Sequence, residues 1–593
     1  MRFRSRKVAS GRAYAVSGSN TISFAIDASP AARTGLLGFA VERIDTAKNE
    51  QYYVAGFKVF PSVIPSPVPH LQVSTYDHPV QSFVWDDFTA APDHEYTYVF
   101  HPIKGRPKKL DRSAPPIRIT VRTEPLSGQD HDVYFNRGVA SSQAYERRFG
   151  STPIAQLAPD TRTAALAWLS RDLEQAILRF IAACKPGDTL RCCFYEFHHA
   201  PVLDALGRAI TAGVDVRIIV DAKVNGSTDK NGTVHESFPR VANLAAIADA
   251  GLPSDRITLR EHRATAIAHN KFMVRTPKGK QPTEVWTGST NISLGGIAGQ
   301  TNVGHWVRDR AVAAQFDRYW TLLQGDPGAR DGDDPATATT RNAELEAAVE
   351  ACSPVPGNLA DLGPGTIAAF SPRQGAGLLS EYAALLDGAA TEGCITLAFG
   401  VSAVFKGLLQ DNTDQDALIF MLLEKKDVPN PRAKTAFVWI NASNNVYKAW
   451  GSFIRDPVYQ WAKETSAGLL GLNQHVSFIH SKFMLIDPLG TDPIVVTGSA
   501  NFSDDSVNTN DENMLLIRGN LRVADIYFTE FNRLFNHYYF RSVTESVHAR
   551  GEADDSASLF LVEDDSWQEK YAPGTLKAKR LDRFVALGGA VTR

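Results

Sequence analysis

The chain has 593 residues, more than a single hydrophobic core usually organises, so two to four domains are expected. Apolar residues make up 44% and charged residues 21%, ordinary proportions for a soluble globular protein. With 62 Lys and Arg against 65 Asp and Glu the net charge is −3, so no global positive field draws the chain onto nucleic acid or anionic membrane, although a local basic groove stays open to it.

The N-terminus begins Met1-Arg2-Phe3-Arg4-Ser5-Arg6-Lys7 with no apolar run behind it, so no secretory signal is expected. No stretch reaches the ~18 apolar residues of a membrane span. A cytoplasmic protein is the expectation, with signal-independent export left open. Residues 17 to 124 read as six short strands: Thr21–Ile26, Leu37–Arg43, Tyr52–Phe60, Val80–Trp85, Tyr96–His101 and Ile117–Arg122. Each is rich in β-branched or aromatic residues and bounded by Gly, Pro, Asp and Ser. That spacing implies an all-β sandwich of immunoglobulin or fibronectin III style over 1–126, with Tyr96 a candidate tyrosine corner and Trp85 a core residue. Its first role is packing, though it offers a surface where a protein partner or a membrane could dock.

From 127 the pattern changes. Asp160 or Thr161 can cap a helix with Leu166, Leu169, Leu173, Ile177 and Phe180 on one face. A strand (Leu190–Phe197), a helix (Val202–Ala212) and a strand (Val214–Val220) follow, the alternation of an α/β layered unit. Cys192 and Cys193 are neighbours in that first strand and point to opposite faces. With five cysteines and no metal-type spacing, buried reduced thiols are expected. Next comes His269-Asn270-Lys271-Phe272-Met273-Val274, then Gly288-Ser289-Thr290-Asn291, and a helix over Val312–Leu323. The acidic, Gly- and Pro-rich stretch from Gly325 reads as the start of a linker.

The cycle then repeats: strand Thr366–Phe370, helix Leu378–Leu386, strand Cys394–Phe399, helix Ala417–Leu423 and strand Thr435–Asn441. His480-Ser481-Lys482-Phe483-Met484-Leu485 follows, with Asp487, then Gly498-Ser499-Ala500-Asn501, Glu512 in Asn510-x-Glu512, and a helix over Val523–Phe540. The division expected is a sandwich (1–126), a first half (127–330), a linker (331–365), a second half (366–550) and a C-terminal extension (551–593) that drapes on the body. The halves open alike, Phe135-Asn136-Arg137-Gly138 against Phe370-Ser371-Pro372-Arg373, which makes Arg137 and Arg373 weak candidates for phosphate contact.

In a strand, residues two apart share a face, so each copy sets an imidazole beside an ammonium, with Ser and Asn donors entering from the next strand. Two such sets make a site for a phosphate ester. A neutral imidazole can attack phosphorus to form a phosphohistidine, lysines and amides can hold the oxygens where charge builds, and a second imidazole can protonate the leaving oxygen and then activate water. No metal-binding motif and no other cofactor is implied.

The repeated motif resembles the phospholipase D superfamily, whose signature is His-x-Lys-x4-Asp followed by Gly-Ser-x-Asn. His480, Lys482, Asp487, Ser499, Asn501 and Glu512 fit throughout. The first copy keeps His269, Lys271, Ser289 and Asn291 but has Thr276 for the aspartate and Asn302 in the place of Glu512. The resemblance implies two pseudo-symmetric α/β/α halves with one site between them. It implies His269 as nucleophile, His480 as general acid/base, and Lys271, Lys482, Asn291, Asn501 and Glu512 in the catalytic set. Ser289, Ser499, Asp487 and Asn302 would support them. Which histidine Glu512 touches is not legible in the sequence. The substrate expected is a phosphodiester: a phospholipid headgroup, hydrolysed or transferred, with peripheral membrane contact, or nucleic acid as the alternative. A phosphate-binding module without turnover is the third reading. Trp450, Phe453, Tyr459 and Trp461 could form an apolar rim, although such clusters usually belong to a core.

Overall fold

The computed structural model describes the chain apart from residues 68–70, 139–142, 151, 231, 263–265, 376, 414–415, 430–435, 452–477, 550–559 and 590–593. Phe453, Tyr459 and Trp461 fall outside the described residues.

The N-terminal region forms two antiparallel sheets. One orders Arg2–Arg4, Gly11–Ser17, Ile22–Ala28 and Val84–Asp87; the other orders Lys109–Asp111, Glu95–Arg106, Gly38–Asp45 and Glu50–Tyr53, with Ile117–Arg122 also on Glu95–Arg106. Alternation drives them together: Ile117, Ile119 and Val121 are buried while Arg118, Thr120 and Arg122 face out. They meet Phe24, Phe39, Tyr98 and Phe100 in a shared core, and Trp85 packs at its margin against Phe24. The Tyr96 hydroxyl accepts the Ala91 amide at 2.9 Å, tying the chain to itself five residues upstream. The expected strand Tyr52–Phe60 is broken, with strand only at Glu50–Tyr53 and Ala55–Gly56.

Two seven-stranded sheets follow with the same order. In the first it is His131–Phe135, Val303–Val307, Glu284–Gly288, Lys271–Thr276, Thr189–Phe194, Asp215–Asp221, Ile257–Arg260. In the second it is Gly365–Ser371, Glu512–Arg518, Ile494–Gly498, Phe483–Ile486, Glu392–Leu397, Leu418–Leu423, Val446–Trp450. The last three strands of each sheet are parallel and the rest antiparallel. Helices such as Ala200–Thr211 and Arg310–Leu323 cover the faces, the layering that parallel strands require.

Four expectations are corrected. Ala417–Leu423 is not a helix: Leu418–Leu423 is a strand buried at every position, and in such a strand apolar periodicity is silent. The third parallel strand lies at Val446–Trp450, not at Thr435–Asn441, where residues 436–440 are irregular; its first-half counterpart Ile257–Arg260 was unanticipated. The helix through Leu166 and Phe180 is two helices, Pro159–Ser170 and Leu173–Ala182, separated by Arg171 and Asp172 at φ 43° and 69°. Arg171 is held in that turn by a hydrogen bond to the Phe135 carbonyl and an ion pair with Glu530. The expected linker contains a helix, Pro335–Cys352, started by the Asp334 side chain on the amides of Ala336 and Thr337 and anchored by buried Leu345 and Val349.

Residues of the C-terminal segment lie on the N-terminal sheets. Trp567 donates to the Leu36 carbonyl at 2.7 Å, and the Tyr571 hydroxyl meets Phe83 N at 3.0 Å. The five cysteines are free thiols, Cys192, Cys193 and Cys394 fully buried. Among the described residues no helix is long and apolar enough to cross a membrane.

Candidate active site

The two motif strands leave their sheets at the face where the halves meet, and each histidine crosses into the other half. His269 N donates to the Asp511 carbonyl at 3.0 Å, and Ala268 and Asp511 form an isolated parallel bridge. Its mirror is the Thr301–Ile479 bridge, beside which His480 N donates to Thr301 Oγ1 at 3.2 Å. Backbone pairing between halves therefore sets both imidazoles in place.

Each ring then rests on a side chain from the opposite half. His269 Nδ1 is 2.9 Å from both Glu512 oxygens, and His480 Nδ1 is 2.9 Å from Asn302 Oδ1. Asn302 Oδ1 also accepts from Ser289 Oγ at 2.8 Å, and its Nδ2 donates to the Gly296 carbonyl at 2.8 Å. With its oxygen acting as acceptor, Asn302 leaves His480 protonated on Nδ1 and free on Nε2; Glu512 does the same for His269. Ser499 Oγ accepts the Asn513 amide at 2.9 Å, next to Glu512, as Ser289 Oγ accepts the Val303 amide at 3.1 Å, next to Asn302. Both hydroxyls are fully buried: Ser289 also holds the amide behind His480, while Ser499 holds the backbone just past Glu512.

Lys271 Nζ donates to the His269 carbonyl at 2.6 Å, and Lys482 Nζ donates to the His480 carbonyl. Burial, then the two lysines, depress both histidines well below their ordinary value, so the free site holds neutral imidazoles. Lys271 falls to about 8 through burial, and Lys482 is also held well below its ordinary value, by burial and then the neighbouring Lys271. Burial pushes Glu512 up to about 7 against the pull of Lys271. Each lysine acts on both histidines, which places all four groups at one locus.

The other expected residues divide. Asn291 Nδ2 donates to Glu196 Oε1 at 2.7 Å, while Asn291 Oδ1 and Asn501 Oδ1 are buried without partners among the described residues. Asp487 stands beyond the far end of the strand Phe483–Ile486, not in the site. It accepts the amides of Ala390, Thr391 and Glu392 and fixes the start of the neighbouring strand. The first half manages with Thr276 because Asp188, across the same pair of strands, accepts the Lys278 amide at 2.9 Å. Arg137 stacks on Trp168 at 4.4 Å and donates to its carbonyl, and its pKa falls to about 9 through burial and then Arg171. Arg373 is committed to the Phe370 carbonyl and to Ser353. Neither arginine is aimed at phosphate in this geometry. Trp450 lies against the helix Leu521–Ala549, its amide donating to Ser542 Oγ.

Several residues that hold the site were missed. Asp221 accepts Ala268 N at 2.7 Å and Glu424 accepts Ile479 N at 2.7 Å, so the residue before each histidine is fixed by a carboxylate at the end of a parallel strand. Arg260, fully buried, joins Asp511 at 2.7 Å to Asp326 at 2.7 Å. Tyr195 sets its ring edge-on to His269, centroids 4.8 Å apart. Asp221 and Glu424 each end an apolar run, Ile218–Val220 and Leu418–Leu423, and aligning the two halves would have paired them.

A family model described as "Cardiolipin synthase, PLD-like domain" matches residues 177–322 and 408–535, just under half of the chain. These two stretches belong to the phospholipase D superfamily. Among solved structures, the phospholipase-D-like pair is similar to phosphatidylserine synthase of Haemophilus influenzae Rd KW20, at 11% identity over 66% of this chain and 94% of that one, TM-score 0.40. Polyphosphate kinase from Porphyromonas gingivalis matches at 11% identity over 59% of this chain and 46% of that one, TM-score 0.35. Nuc from Salmonella typhimurium, a phospholipase D family member, matches at 16% identity over 29% of this chain and 95% of that one, TM-score 0.20. No curated protein sequence matches.

Proposed function

We propose that the protein is a phosphodiesterase that works through a phosphohistidine and acts on a phospholipid headgroup ester, by hydrolysis or by transfer to another alcohol. The observation that carries this reading is the unequal backing of two imidazoles that face one locus: Glu512 behind His269 and Asn302 behind His480. A carboxylate on Nδ1 makes Nε2 of His269 more basic and stabilises the positive charge the ring acquires when it bonds to phosphorus, which suits the nucleophile. An amide cannot stabilise an imidazolium in that way, so a proton on His480 Nε2 is readily given up, which suits the acid.

In the first step His269 Nε2 bonds to phosphorus, the bond to the leaving alkoxide breaks, and His480 Nε2 supplies its proton. In the second step His480 takes a proton from water or alcohol, whose oxygen displaces His269. The substrate's own negative charge offsets the lysine field that keeps His480 neutral in the free site, so binding prepares it for protonation. Lys271, Lys482 and Asn501 hold the non-bridging oxygens as charge develops. Phospholipid is favoured by the near-neutral net charge and by apolar side chains exposed in the second half, Phe399 and Trp439 among them. We also read the two N-terminal sheets as a packing module of immunoglobulin or fibronectin III style, supported by the Tyr96 tie.

The test is parallel incubation with mixed phospholipid vesicles and with single- and double-stranded DNA and RNA, with and without EDTA. Headgroup release that survives EDTA and disappears in both His269→Ala and His480→Ala is expected. Cleavage of nucleic acid alone, absent in the same variants, would replace the lipid reading with a nuclease. Binding without turnover of any diester would leave a phosphate-capturing module.

A further inference from the structure

The halves part company beside their lysines. Phe194 lies opposite Lys271 in the strand register, and extending the Ile395–Met484 register by two residues sets Leu397 opposite Lys482. Two residues further on stand Glu196 in one half and Phe399 in the other. Glu196 Oε1 holds Asn291, and its charge acts on both Lys271 and Lys482, so it belongs to the same locus. Its second oxygen has no hydrogen-bond partner among the described residues. The ring nitrogen nearest to it, His198 Nε2, is 3.8 Å away, beyond hydrogen-bonding distance. Phe399 is 69% exposed, and on its side no carboxylate bonds to Asn501 among the described residues.

A phosphodiester has two arms. A nucleic-acid strand carries a further phosphate on each, and a carboxylate on one flank repels it. A glycerophospholipid has unlike arms, one apolar and one polar. We propose that Glu196 is a specificity-determining residue: its free carboxylate oxygen takes the ammonium of an amine-bearing headgroup, while Phe399 lies along the apolar arm of the same molecule. This rests on the phospholipid reading above and adds which headgroup is preferred and by what residue. A charge-assisted bond of this kind is worth at least about 1.5 kcal/mol, or about tenfold in selectivity.

Glu196→Gln keeps an acceptor for Asn291 and removes only the charge. In wild-type protein kcat/KM should favour vesicles of phosphatidylethanolamine over vesicles of phosphatidylglycerol, and in Glu196→Gln the ratio of the two should fall about tenfold or more. An unchanged ratio overturns the proposal, whatever happens to the absolute rates, because a role through Asn291 or the lysines would slow both lipids alike. Wild-type protein gives a second measurement that does not depend on the variant folding: O-phosphoethanolamine should inhibit at lower concentration than glycerol 3-phosphate, and equal inhibition also overturns it. Wild-type protein that cuts only single-stranded DNA removes the phospholipid reading itself. That failure is distinct from failure of Glu196 alone, in which both lipids are turned over without preference.

Discussion

Glu512 and Asn302 stand at matching places behind the two histidines and differ by a charge. Glu512 is raised from 4.5 to about 7 by burial, so its carboxylate is available to His269 only above that range. The kcat/KM of wild-type protein should fall as pH drops through about 7. Glu512→Gln should run at least about tenfold slower at pH 8 and lose that limb of the profile, because an amide has no proton to gain. The sign for stability is opposite. A carboxyl whose folded value is raised favours the fold while protonated, so stability is lost as pH climbs from 4.5 to about 7. Thermal melts should therefore show Glu512→Gln more stable than wild type at pH 8, with the gap closing near pH 4.5. A variant less stable at pH 8 would show that the carboxylate is held by bonds stronger than its burial cost.

Short ties between strand ends carry the site at the next scale. Arg260 ends a parallel strand of the first half, and its guanidinium is shared between Asp511, whose backbone receives His269, and Asp326. Arg260→Met should cost about 3–5 kcal/mol in urea unfolding, since it strands a fully buried carboxylate, Asp511, beside the half-to-half bridge. Activity should fall with it even well below the unfolding midpoint. Asp221 works through the backbone instead. Asp221→Ala removes the acceptor of Ala268 N and should lower kcat about tenfold or more with little change in KM, because displacing His269, the proposed nucleophile, affects the reaction more than binding.

The whole molecule is closed by contacts far apart in the chain. Arg2, buried in the first N-terminal sheet, pairs with Asp525 of the helix Leu521–Ala549 at 2.9 Å and donates to the carbonyls of Pro488, Leu489 and Gly490. The N-terminal sheets are thereby fastened to the second half. Arg2→Ala leaves Asp525 and three carbonyls short of donors in a buried place, and a fall in Tm of several degrees by calorimetry is expected. An unchanged Tm would mean that water or the Glu124 side of this interface takes over those groups.

The duplicated His-x-Lys and Gly-Ser-x-Asn motifs, and the strand-helix alternation around them, were legible because they are local: a period of two puts His and Lys on one face wherever the strand lies. The repeat also carried the two-half architecture. What stayed illegible depends on residues distant in sequence. Leu418–Leu423 looked helical because a strand buried on both faces has no polar phase to betray it, and only its parallel pairing with Glu392–Leu397 defines it. Asp487 matched a motif yet serves a strand end, since its partners at 390–392 are named by register and not by spacing. The backing of His269 by Glu512 joins residues 243 positions apart, and no local rule ranks it against a pairing with His480. The sequence by itself determined that two His-x-Lys pairs would stand on strands of two like halves, because that pattern is local. The tertiary structure decided which histidine has a carboxylate behind it, because the histidine-bearing segments cross between halves and hand each ring to the opposite one.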